Sequence, residues 1–257
     1  MAEYSFKNLE IRYQTALVVP PPFAHFFTIE LRIDPENRLG IRVAITYAER
    51  DELEEDEIIA EGFTIHDDYQ WSGVLPAVWL QTVDSLVRKT QLKPFDEEKL
   101  TDNQEYFQVR IEKDSLRTGM PSQRVEWQFI SQELIQAVYE VSGKEKPFEI
   151  TYLEIEGGNR IEAQLTASFG RREAKLENRR NTQNRTTVLP WKEVKAMMEI
   201  VYGVDYDPET ALSALPRKPG RYLNLGTSEW FDLTTAVVGE NDAISKLNRL
   251  LARLVQA

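Results

Sequence analysis

The chain contains two histidines and no cysteine, so acid–base or metal chemistry would have to run through His25, His66 or carboxylates. His66 opens His66-Asp67-Asp68, three consecutive nitrogen and oxygen donors of the kind that hold a metal or form a carboxylate-oriented base. Adjacent residues of a strand point to opposite faces, so His66 and Asp67 do not converge easily on one ion. Asp67 and Asp68 read instead as turn residues ahead of Tyr69 and Trp71. His25 follows VVPPPFA, whose prolines impose an extended approach to the next strand, and it reads as structural. Thiolate catalysis, disulfides and cysteine-type zinc sites are excluded by composition. No glycine-rich phosphate loop, nucleophile elbow or zinc-protease helix is present. No catalytic residue, metal site or cofactor is therefore assigned, and an enzyme of unrecognised class is the third of three functional readings.

Charge offers more than catalysis does. RREAKLENRRNTQNRTT, residues 171 to 187, carries six basic side chains against two acidic ones inside a chain of net charge −11. Arg171, Arg172, Arg179, Arg180 and Arg185 are the candidate contacts, with Asn178, Asn181, Gln183 and Asn184 as further hydrogen-bonding groups. DELEEDEIIAE, residues 51 to 61, is its counterpart in sign: seven acidic residues, among them Glu52, Glu54, Glu55 and Asp56, and no basic one. Opposite charges in equivalent segments make the chain self-complementary and predict head-to-tail association into a homo-oligomer. Solvated polar segments that protect sheet edges are the plainer explanation of both runs. Single-stranded nucleic-acid binding is the alternative function, disfavoured by the net charge and by the lack of interleaved aromatics.

The elements that carry these segments look duplicated. FFTIELRIDPENRLGIRVAITYA (26 to 48) and FEITYLEIEGGNRIEAQLTASFG (148 to 170) match at an offset of 122, including Phe26 with Phe148, Leu31 with Leu153 and Asn37-Arg38 with Asn159-Arg160. Both alternate with period two around a turn-rich centre, which predicts β-hairpins. VLPAVWLQTVDSLVRKT (74 to 90) and VLPWKEVKAMMEIVYG (188 to 203) follow as amphipathic helices with a proline at the first turn. Flanking strands are expected in SFKNLEIRY and at 57 to 66. A further helix is expected from Ser131 as N-cap to Gly143, and a last one on Ile244, Leu247, Leu250, Leu251 and Leu254 that docks on its own core. Strands followed by one helix, used twice, resemble the layout of Whirly-type and Pur-type single-strand binders, a likeness of topology with no shared motif.

The expected fold is thus α+β: an internally duplicated unit of antiparallel strands and an amphipathic helix, two units packed as one pseudo-symmetric body, with an extra C-terminal helix. The units are placed at 1–95 and 105–257, divided where QLKPFDEEKLTDNQ loses apolar periodicity. Tyr69 and Trp71, and Trp230 and Phe231 in GTSEWFDLTT, are candidate pocket or loop residues. The N-terminus lacks the basic and apolar regions of a signal peptide, and the longest apolar runs are too short to cross a bilayer, so a cytoplasmic location away from membranes is expected. The leading functional expectation is a non-enzymatic binding or assembly protein acting through protein–protein contacts, including contacts with itself.

Overall fold

The structure is a computed structural model that describes residues 3–180 and 183–256. The described residues form an α+β chain with five α-helices and three antiparallel sheets, divided into compact units at 1–145 and 146–257.

Unit 1 comprises β1 (Asn8–Gln14), β2 (His25–Ile33), β3 (Leu39–Tyr47), α1 (Glu55–Ala60), β4 (Tyr69–Leu75), α2 (Ala77–Lys89), β5 (Leu92–Lys93), β6 (Tyr106–Glu112), β7 (Leu116–Pro121) and α3 (Arg124–Val141). Its sheet runs β4-β3-β2-β1-β6-β7-β5. Period-two alternation gives the sheet two chemically different faces. Ile11 lies opposite Ile29 and Val109, and Ile29 opposite Val43, all fully buried. The neighbouring row on the other face is Glu10, Glu30, Arg42 and Arg110. Each buried aliphatic side chain of the first kind stabilises the fold by roughly 1.5–3 kcal/mol. Helix α2 buries Trp79, Leu80, Val83, Leu86 and Val87, as its 3.6-residue period requires. Helix α3 is tied to the end of α2 where Trp127 Nε1 donates to Thr90 Oγ1 at 2.9 Å.

Three local expectations change. The segment 57–66 is not a strand: Glu54 and Glu57 form a capping box that opens α1, with acidic residues in its first turn where the helix dipole favours them. The helix expected from Ser131 begins at Arg124, and Ser131 is a buried interior residue whose hydroxyl donates to the Trp127 carbonyl at 2.7 Å. Gly143 does follow that helix, at φ +77°. The charged stretch 91–104 lies inside unit 1, because β6 beyond it pairs with β1 along its whole length.

Unit 2 comprises β8 (Phe148–Glu156), β9 (Asn159–Ser168), β10 (Glu173–Arg180), β11 (Gln183–Leu189), α4 (Val194–Val201), β12 (Asp205–Tyr206), β13 (Gly220–Asn224), β14 (Trp230–Asp232), β15 (Val237–Val238) and α5 (Asn241–Leu254). Its main sheet runs β11-β10-β9-β8-β13-β14, and β12 pairs with β15. Gly157 and Gly158, at φ +55° and +83°, make the β8–β9 turn with a backbone that side chains resist. Helix α5 docks on its own unit, as expected: Leu247, Leu250, Leu251 and Leu254 share one core with Ile150, Leu165, Leu176, Met197 and Val201. Among the described residues no helix is long and apolar enough to cross a membrane.

Candidate functional site

The basic stretch forms β10, β11 and the turn leading into them. β11 is the outermost strand of its sheet, so among the described residues one side of its backbone has no strand partner. Register separates the basic side chains into groups. Lys175 and Arg179 lie on one face and are paired, Lys175 with Glu173 at 3.2 Å, Arg179 with Glu162 at 3.1 Å and with Glu177 at 3.3 Å. Arg180 and Arg185 share the other face and are exposed. On the same face Asn178, opposite Arg185, donates to the Leu254 carbonyl at the end of α5, at 2.9 Å. Arg171 is exposed in the β9–β10 turn, and Arg172 stands at φ +52° with its guanidinium 5.7 Å from the Trp191 ring centroid. Gln183 and Asn184 are exposed on β11; Asn181 lies outside the described residues.

The acidic segment takes a different form. Glu52 ends a single 3-10 turn, Glu54 caps α1, and Glu55 and Asp56 occupy its first turn, all exposed in the connection from β3 to β4. Charge divides unevenly between the units. Unit 1 holds 15 basic and 27 acidic residues, and unit 2 holds 16 and 15, so the whole acidic excess belongs to unit 1.

Of the expected aromatic residues, Tyr69 and Trp71 belong to unit 1 and Trp230 and Phe231 to unit 2. Tyr69 donates to Ser142 Oγ at 2.8 Å and meets Tyr139 edge-on at 4.9 Å. The Trp71 ring covers Gly73, where an added Cβ would stand 2.2 Å from it. Phe231 is buried against Tyr206, and Trp230 exchanges backbone hydrogen bonds with Leu212. The loop before Trp230 is organised by Asn224, which donates to the carbonyls of Thr227 and Glu229 and accepts from Gly226 N. At His66, Asp67 accepts from Thr64 N and Thr64 Oγ1, closing the local turn, and from Arg50, whereas Asp68 accepts from Tyr47 N at the end of β3 rather than within the turn. No group of three potential ligands capable of holding a metal occurs among the described residues.

One site has no signature in the sequence. The C-terminal ends of β1 and β3 and the N-terminal ends of β2 and β6 lie together under α3 and enclose a cleft of about 470 Å³. Its lining includes Tyr13, His25, Tyr47, Glu105, Gln128 and Tyr139. Glu105 is its electrostatic centre, accepting from Tyr13 Oη at 3.0 Å, Gln128 Nε2 at 2.8 Å and Arg124 Nη2 at 2.8 Å. Burial, then the hydrogen bond to Glu105, raises the Tyr13 pKa well above that of an ordinary phenol. Burial pushes the Tyr139 hydroxyl up to about 12, so both remain neutral hydroxyls near pH 7. His25 Nδ1 lies 2.8 Å from the Phe23 carbonyl, and its ring stands 5.5 Å from Tyr13 and 5.6 Å from Tyr47. The histidine expected to be structural thus lines a cleft. The only available sign was an aromatic or imidazole residue near each of several strand ends, and register alone reveals that those ends are neighbours.

In comparisons with known proteins, the chain matches no family model, no curated protein and no solved structure.

Proposed function

We propose that this is a non-enzymatic binding protein that works through protein–protein contacts, and that the contact is made by the basic outer edge of unit 2 with an acidic surface. The observation that carries the reading is the position of Arg180 and Arg185, exposed on the outermost hairpin of a sheet whose edge strand lacks a partner on one side. Like charge along that hairpin opposes pairing with the same edge of another copy. The partner must bring carboxylates, and unit 1 of a second copy, with its excess of 12 acidic residues, is the surface the chain itself supplies. Such contacts are heterologous and build rings or open filaments.

We infer further that the two units arose by duplication. Supporting this, β1 to β4 followed by α2, and β8 to β11 followed by α4, are the same run of elements apart from α1, which is inserted between β3 and β4. In both sheets the first strand of that run then pairs with a later strand, β6 or β13. By this correspondence the hairpin β8–β9 matches β1–β2, one strand earlier than the offset of 122 implies. The acidic segment then falls between the third and fourth strands of one unit, and the basic stretch spans the third and fourth strands of the other.

The test is light scattering after size exclusion on the intact chain, at low and at high salt. A mass that is a multiple of 29.8 kDa and falls as salt rises supports the proposal. Reversing Arg179, Arg180 and Arg185 to Glu should leave a monomer at both salts, and an unchanged mass in that variant would sink the idea. A wild-type monomer that retains single-stranded oligonucleotides at low salt would transfer the basic edge to the nucleic-acid reading.

A further inference from the structure

The cleft at the strand ends of unit 1 gathers polar groups whose chemistry differs from that of the basic edge. A backbone carbonyl only accepts, so His25 must donate from Nδ1, which leaves Nε2 of the neutral ring as an acceptor. The Tyr13 hydroxyl proton and one of the two Gln128 amide protons go to Glu105, leaving Tyr13 Oη and Gln128 Oε1 as acceptors as well. His25 Nε2, Tyr13 Oη and Gln128 Oε1 thus give the cleft three acceptors that can receive a ligand's N–H. Charge narrows the choice. Glu105 is balanced by Arg124 at 2.8 Å, so the pair offers no surplus cation to hold an anion. A second cation is opposed because the rings of Tyr47 and Tyr139 already face Arg50 at 3.6 Å and Lys144 at 4.5 Å. Rings polarised by such neighbours are electron-poor and stack best on electron-rich ones.

We propose that this cleft binds a neutral, planar, electron-rich nitrogen heterocycle of the indole class, stacked among the tyrosine rings with its N–H donated to His25 Nε2. Its volume of about 470 Å³ lies within the range of pockets for small organic molecules, about 300–1,000 Å³. The proposal does not rest on self-association, because the cleft lining includes neither the basic edge nor the acidic segment 51–61.

The experiment is a set of calorimetric titrations of the intact chain with indole, 1-methylindole, the cation 1-methylquinolinium and the anion 2-naphthoate. Indole is expected to bind, and 1-methylindole, which has no donor, to bind about tenfold more weakly, the loss of one net hydrogen bond. Both charged bicycles should bind more weakly than indole. His25→Phe retains an aromatic ring but removes the acceptor, and should lower indole affinity about tenfold while near-ultraviolet circular dichroism shows the fold retained. Gln128→Leu and Tyr139→Leu provide the same readout if that variant fails to fold. No heat with indole at millimolar concentration, equal affinity for 1-methylindole, or tighter binding of either ion would overturn the proposal.

Discussion

Replacing Arg50 by Ala should destabilise unit 1 more than any surface substitution. Arg50 is 6% exposed. Its Nε and Nη2 both donate to the Pro22 carbonyl, at 3.1 and 3.0 Å, and its Nη1 donates to the Thr64 carbonyl and to Asp67 Oδ2, the latter at 2.7 Å. The guanidinium also stacks 3.6 Å from the Tyr47 ring centroid. One cation therefore joins the proline-rich connection, the Thr64–Asp67 turn and the end of β3. Removing one partner of a buried ion pair costs about 3–5 kcal/mol. Asp67 is 27% exposed and keeps its two bonds from Thr64, which places the expected loss at the lower end, about 3 kcal/mol. At roughly 2–4 °C per kcal/mol for a unit of this size, the melting temperature should fall by about 10 °C. Urea unfolding of the intact chain, followed by near-ultraviolet circular dichroism, measures this directly. Arg50→Lys should recover less than half of the loss, because an ammonium cannot reach both Pro22 and Asp67 with the fork of a guanidinium. A loss below about 1 kcal/mol for Arg50→Ala, the size of one ordinary hydrogen bond, would refute the reasoning.

Asp84 accepts from Ser5 N and Ser5 Oγ, both at 2.6 Å, and from Arg88 Nε at 2.7 Å. Burial acts to raise its pKa, but the Ser5 bonds and Arg88 together hold it below the ordinary carboxylate value. A depressed carboxylate contributes stability above its unfolded pKa of about 3.9 and loses it as pH falls through the lower folded value. Asp84→Asn should therefore cost about 2 kcal/mol at pH 7, and the gap to wild type should narrow in an acid unfolding series as pH falls below the unfolded carboxylate value. Gly119→Ala would place a Cβ 2.2 Å from the Lys93 carbonyl, so β5 must part from β7. A loss of about 2 kcal/mol is expected, with amide-exchange protection lost around Lys93 and Met120. The triple reversal at Arg179, Arg180 and Arg185 is predicted to remove any salt-sensitive oligomer while leaving the unfolding temperature within a few degrees of wild type, read by light scattering and calorimetry on one sample.

Much of the fold was legible because it is encoded locally. Alternation in 26–48 and 148–170 marked the hairpins, Gly157-Gly158 marked a turn that needs positive φ, and the apolar periods of α2 and α5 marked helices. Where local signals competed, reading them failed. Ser131 resembles an N-cap because its hydroxyl can bond the backbone, but in the structure that bond is made to the preceding helical turn, and α3 continues through it. Segment 57–66 has strand-like composition, yet the capping box at Glu54 and Glu57 and the burial of Ile58 favour a short helix.

What the sequence by itself determined, then, is the set of local elements, the charge of each segment and the absence of cysteine chemistry. Only the tertiary structure decided that β6 closes on β1, that β11 stands at an edge, that the acidic excess belongs to one unit, and that Tyr13, His25 and Glu105 line one cleft. The physical reason is range. Turn geometry, capping and hydrophobic period act over a few residues, whereas strand order joins Tyr13 to Phe107 through hydrogen bonds that any strand of suitable pattern could have made.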